Sequence, residues 1–170
     1  DALEMWLALA LERNASAVSR RAGELASPSK VTRFLKGLLD SRADGRVKQF
    51  VTLISLRVRR HLARLFSSGE YLPVSAAGKF AQHVVAFARR HRDRTALVIV
   101  PRLSVAVCGF GGPPPLGDRW EDTVLELPND LAVGTFCNCF TRKMFHPGEN
   151  KLFLADVFRE FPVALLLGPQ

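Results

Sequence analysis

Nine of the ten prolines in this chain fall after Phe66, and that asymmetry constrains the fold more than any other feature. Proline removes a backbone donor and clashes with the preceding helical turn, so helix interiors and central strand positions exclude it. The stretch up to Phe66 holds only Pro28 and reads as helical. The stretch beyond it carries Pro73, Pro101, the run Pro113, Pro114 and Pro115, then Pro128, Pro147, Pro162 and Pro169. It reads as strands and turns.

Residues 2–25 are dominated by Ala, Leu, Glu and Arg, all good helix formers, and the first half is apolar on nearly every side. Ser27 and Pro28 end that helix or open the next. Val31, Phe34, Leu35 and Leu38 recur at helical spacing and predict a second helix over 29–39. After the polar turn 40–45, Asp44 is placed to cap a third helix over 45–66. Its stripe is Val47, Phe50, Val51, Ile54, Val58, Leu62 and Leu65, with Arg46, Lys48, Arg57, Arg60 and Arg64 largely off it.

Strands are predicted over 71–74, 83–89, 96–100, 123–127, 133–140, 151–154 and 162–167, with a turn at 76–78. The segments 83–89 and 96–100 read as a hairpin around a charged connector, 90–94. Val85, Phe87, Leu97, Ile99, Val163 and Leu165 alternate along their strands and are expected to form one apolar face. Pro101 marks a strand end or an edge. Residues 109–117, with three prolines and four glycines, form a long irregular loop. The fold class expected is α+β, a helical piece followed by a mostly antiparallel β domain.

Composition narrows the function classes. With 48% apolar and 24% charged residues the chain is globular, not disordered. Its 170 residues are too few for a complete (β/α)8 barrel, which takes roughly 250. The longest apolar run, residues 5–11, is far below the ~20 that span a bilayer, and the first residues do not follow a signal-peptide pattern. Three cysteines imply no disulfide framework and fit a reducing compartment, so a cytoplasmic location without membrane contact is expected. The net charge of +8 is concentrated in Arg46, Lys48, Arg57, Arg59, Arg60 and Arg64, and in Arg89, Arg90, Arg92 and Arg94 around His91. Without interleaved aromatic residues these read as a solvated helix face and a solvated turn, and no nucleic-acid partner is expected.

No constellation in the sequence makes an active site on its own. The glycine-rich run Gly109, Gly111 and Gly112 lacks the helix start that a phosphate loop needs. Cys108, Cys137, Cys139 and His146 can be drawn as a zinc site, but their spacing favours ordinary core and loop residues. His83 looks structural, and His61 and His91 look solvated. Asp118, Glu121 and Asp122 cluster beside Trp120, yet glycoside chemistry needs one protonated and one ionised acid facing each other across the scissile bond. A solvated turn is the simpler reading. Trp120 fits either a core position or a sugar-stacking platform. No catalytic, metal or cofactor residue is therefore assigned.

Several stretches taken in order do carry a resemblance. They are Asp44-Gly45-Arg46-Val47-Lys48, Leu56-Arg57-Val58-Arg59-Arg60, Gly69-Glu70-Tyr71-Leu72-Pro73-Val74, His83-Val84-Val85-Ala86-Phe87-Ala88-Arg89 and Ala96-Leu97-Val98-Ile99-Val100-Pro101-Arg102. Further on stand Gly117-Asp118-Arg119-Trp120-Glu121-Asp122-Thr123-Val124-Leu125-Glu126-Leu127-Pro128, then Leu154-Ala155-Asp156-Val157-Phe158 and Phe161-Pro162-Val163-Ala164-Leu165-Leu166. From about Leu38 to Leu167 this order resembles the C-terminal end of the maltooligosyl trehalose synthase family, glucosylmutases of the α-amylase superfamily. Residues 1–37 match only as a helical segment, and 132–150 match poorly.

The resemblance implies that residues 1–66 are the end of a catalytic (β/α)8 barrel, with the helix after Asp44 as its last, and that 67–170 form a β-sandwich C-terminal domain. It implies a reaction in which the reducing-end α-1,4 bond of a maltodextrin becomes an α,α-1,1 bond by intramolecular transglycosylation. A carboxylate nucleophile and an acid/base glutamate on earlier barrel strands would carry it, so this segment would be structural and inactive alone, with the maltodextrin bound by the barrel. The exposed helical face would then lack its partner and promote self-association. Two other readings stay open: a free-standing α-glucan-binding module using Trp120 and Tyr71, and a basic nucleic-acid binder.

Overall fold

The computed structural model describes residues 28–168, so the helix expected over 2–25 lies outside the described residues. Helix α1, Pro28–Asp40, begins on its proline, where the missing N–H costs nothing, and buries Val31, Leu35, Leu38 and Leu39. A single 3-10 turn, Arg42–Asp44, leads into helix α2, Arg46–His61. Gly45, at φ 81°, takes the capping position expected of Asp44. The Asp44 carboxylate still accepts the Arg46 backbone N–H at 2.9 Å and pairs with the Arg46 side chain. The third helix is not continuous to Phe66. It breaks at Leu62 and resumes as α3, Ala63–Ser67, which turns onto the sheet so that Leu62 and Leu65 are both buried.

Eight strands follow. They are β1, Glu70–Ala77; β2, Val84–His91; β3, Arg94–Pro101; β4, Val124–Glu126; β5, Phe136–Asn138; β6, Met144–Phe145; β7, Lys151–Phe153; and β8, Ala164–Gly168. Four short pieces not expected from the sequence join them: a 3-10 turn, Ala81–His83; helix α4, Val105–Cys108; a 3-10 turn, Gly117–Trp120; and helix α5, Leu154–Val157. Ala76 and Ala77 belong to β1, and the turn expected over them starts at Gly78. Strands β2 and β3 are longer than expected, so the charged connector shrinks to Arg92 and Asp93 between the paired His91 and Arg94. Pro101 ends β3, as its missing donor requires.

All pairings are antiparallel, in the order β6-β5-β8-β3-β2-β1-β4-β7. This corrects the expected β-sandwich: the strands make one continuous, near-barrel sheet and not two stacked ones. The cause is β1, whose residues 70–74 pair with β2 while 75–77 pair with β4. One strand thus carries the ladder across what would be the gap between two sheets.

The sheet is covered on both sides. Its inner face packs Val84, Ala88, Leu97, Ile99, Leu125, Phe136, Leu152 and Leu166 around Trp120, Val157 and Phe158. Its outer face puts Ala96, Leu165 and Leu167, with Phe140 and Phe161, against Val31, Leu35, Leu38, Val58, Leu62 and Leu65 of the three helices. The single apolar face expected for Val85, Phe87, Leu97, Ile99, Val163 and Leu165 is therefore split. Leu97 and Ile99 point inward, whereas Phe87 lies opposite Val98, and Leu165, across from Val98 on β8, joins the outer core. On β2 the inward positions after Val84 go to the small residues Ala86 and Ala88, and Val85 is left exposed.

Candidate functional site

The acidic cluster is a fastening and not a reaction centre. The Asp122 carboxylate accepts the Lys79 N–H at 2.9 Å, and Glu121 pairs with the Lys79 ammonium at 2.7 Å. The Thr123 hydroxyl takes the neighbouring Phe80 N–H. These bonds pin the turn after β1 to the entrance of β4, and Asp118, Glu121 and Asp122 are all exposed. Trp120 is fully buried, 5.2 Å from the Phe158 ring and 6.4 Å from Phe80. A buried indole offers no stacking surface to a sugar. Tyr71 is exposed, at 54%, and stacked on Phe87 at 5.1 Å.

The sulfur and imidazole groups do not converge. Among the described residues no set of three or more His, Cys, Asp or Glu could hold a metal ion. Cys137 and Cys139 are buried, and burial pushes both thiols up in pKa. The Cys108 thiol donates to the Ser104 carbonyl, and exposed His146 bonds the Thr135 hydroxyl. The loop over 109–117 is irregular, with Phe110 fully in solvent and Pro115 buried.

Most carboxylates that make ion pairs sit at the surface. Asp130 and Glu70 share Arg90, whose hydrogen bond holds Asp130 below the usual carboxylate range. Asp44 is lowered likewise, chiefly by the Arg46 backbone N–H. Glu160, more enclosed, takes Lys143 at 2.8 Å and the Thr32 hydroxyl at 3.2 Å, tying α1 to the sheet.

One arrangement was not legible in the sequence. The two basic clusters, read separately as solvated, meet in space. A groove of about 490 Å³ runs between the α2–α3 break and the β2–β3 turn, lined by His61, Leu62, Ala63, Arg64 and Leu65 on one side and His91, Arg92, Asp93 and Arg94 on the other. Gly69 makes the approach possible. A Cβ added there would lie 2.3 Å from the Leu65 carbonyl oxygen and 2.8 Å from that of Arg90, so only glycine lets α3 and β2 close. That glycine was the available signal, and its meaning depends on the helix break.

Among the described residues no helix is long and apolar enough to cross a membrane. No family model matches the chain. Two curated proteins named maltooligosyl trehalose synthase, from two strains of Mycobacterium tuberculosis, are each 36% identical to it over 117 residues. That match covers 69% of this chain and 13% of each relative, so the chain spans about 13% of the length of the curated relatives it matches. The maltooligosyltrehalose synthase of Arthrobacter ramosus superposes with a TM-score of 0.55 at 28% identity, over 81% of this chain and 16% of that one. A point mutant of the same enzyme gives 0.56 at 27% identity with the same coverage. Sequence and fold thus both place the chain beside a portion of these enzymes, consistent with their C-terminal part.

Proposed function

We propose, with that similarity as premise, that the chain serves as the C-terminal part of an enzyme converting the reducing-end α-1,4 bond of maltodextrins to an α,α-1,1 bond. Its own role is structural. The 36% identity over 117 residues carries the reading. The site geometry supports it: Glu121 and Asp122, beside Trp120, fasten two turns together through Lys79. The nucleophile, the acid/base glutamate and the maltodextrin subsites would be supplied by a barrel outside these 170 residues.

On this reading residues 1–66 are the end of that barrel and 67–170 the C-terminal β domain, in the cytoplasm. Phe34, Leu53 and Leu56, exposed on α1 and α2, would meet the barrel, and they would drive self-association of the chain alone. Incubation of the purified chain with maltopentaose should give no non-reducing product. Robust turnover, in a preparation free of host amylase, would overturn the structural role. The reading frame upstream of Asp1 tests the family assignment separately, since it should encode a barrel with carboxylate-bearing strands, and an unrelated frame would sink it.

A glucan-binding module is the second reading. With Trp120 buried it rests on the exposed Tyr71–Phe87 stack alone. Maltopentaose binding lost in Tyr71→Ala would favour it.

A further inference from the structure

We propose that the groove between the α2–α3 break and the β2–β3 turn binds a small anion carrying more than one phosphate group. Three arginines, Arg64, Arg92 and Arg94, and two histidines, His61 and His91, line it against a single acidic residue, Asp93. Among the described residues none of the three guanidiniums has an ion pair or hydrogen bond, in contrast to Arg46, Arg90 and Arg159. Like charges gathered at one groove repel each other, and an anion seated between them removes that cost.

The helix dipole explains part of the charge and leaves the rest. Basic residues in the last turn of α2, Arg59, Arg60 and His61, sit at the carbonyl-rich helix end, which favours positive charge. Arg92 lies in the hairpin turn and Arg94 opens β3, where no such field acts. Their place opposite Arg64 is set by the close approach at Gly69, which fixes the width of the groove. Leu62 and Leu65, which also line the groove, are buried in the outer core and anchor the wall that carries Arg64.

The ligand class follows from the lining. A guanidinium presents a planar fork that matches two phosphate oxygens at once. Cations on both walls suit a ligand with two or more phosphates better than a single one. The volume of about 490 Å³ suits a small molecule. The lining holds no Phe, Tyr or Trp on which bases could stack, which favours a small anion over single-stranded nucleic acid.

Tripolyphosphate titrated into the full chain by calorimetry at low salt should bind saturably, and inorganic phosphate more weakly. The variant R64Q/R92Q/R94Q should weaken tripolyphosphate by about tenfold or more. The variant R42Q/R119Q/K151Q removes the same charge from exposed residues on other elements and should change it by less than about threefold. Equal losses in the two variants, or no saturable binding, would overturn the site. If the first variant melts below the parent chain, the single changes R64Q, R92Q and R94Q replace it, each expected to weaken binding and each with the same overturning result. Single-stranded DNA binding more tightly than tripolyphosphate, and lost in R64Q/R92Q/R94Q, would also overturn the proposal, by assigning the groove to nucleic acid.

Discussion

The indole Nε1 of Trp120 donates a 2.8 Å hydrogen bond to the carbonyl oxygen of Pro115, inside the inner core. This bond ties the end of the proline run to the 3-10 turn that carries the indole. It satisfies the ring's one polar atom, so the largest side chain in the core is buried without an unpaired donor.

Trp120→Ala should cost about 3–5 kcal/mol, as expected for deleting a fully enclosed aromatic. Trp120→Phe should cost about 1–3 kcal/mol, because the Pro115 carbonyl loses its donor. Urea denaturation measures both. In a Trp6→Phe background the remaining emission should be blue-shifted and indifferent to maltopentaose. Emission from a solvated indole that responds to glucan would contradict the burial.

The register of β2 against β3 ranks two core substitutions. Leu97 is enclosed on the inner face, opposite Ala88, so Leu97→Ala should cost about 2–5 kcal/mol. Phe87 is half-buried on the other face and stacks on exposed Tyr71, so Phe87→Ala should cost less, about 1–2 kcal/mol. Denaturation midpoints that reverse this order would show that β2 is shifted by one residue.

Much of the fold could be read from proline placement and periodicity, and the errors have physical causes. Periodicity located the second and third helices and the central hairpin. It misjudged the inward face of β2 because Val85 and Phe87 outweigh Ala86 and Ala88 on any hydrophobicity scale. Inside the coiled sheet only small side chains occupy those two positions. On β3 and β8 both faces are covered, so the runs read as continuously apolar and carry no alternation to fix a face. The single sheet was not legible because β1 changes partner midway, and pairing partners leave no mark on the strand's own sequence. The groove was missed for a related reason. Its two charged walls are some thirty positions apart, and the break at Leu62 and the close approach at Gly69 bring them together.

The three thiols should differ sharply in reactivity. Burial disfavours the thiolate at Cys137 and Cys139. Cys108 is half-buried, its thiol donating to the Ser104 carbonyl. Iodoacetamide on the native chain should label Cys108 first and leave the other two until urea is added. Peptide mass spectrometry reads this directly, and early modification of Cys139 would argue against its enclosure.

Asp130 supplies a pH dependence with a definite sign. Its carboxyl is held below the ordinary value of 3.8, mainly by the Arg90 hydrogen bond. A group with a lowered native pKa stabilises the fold above its unfolded value. That contribution is lost as pH falls through the native pKa. The Asp130 carboxyl followed by NMR should therefore titrate below 3.8 in the parent chain and return close to it in Arg90→Gln. An unchanged titration would mean that the pair does not persist in solution.

Strand β8 lies between β3 and β5, with its partners 95–99 and 137–138 far upstream. The local hairpin β2–β3 can zip early across its two-residue turn, but one edge of β3 then stays bare until residues 164–168 emerge. During synthesis the β5–β6 hairpin likewise has no neighbour to attach to. The sheet therefore cannot be completed from its beginning onward: its middle is inserted last, and a ribosome that stalls before Ala164 leaves an adhesive, half-made wall.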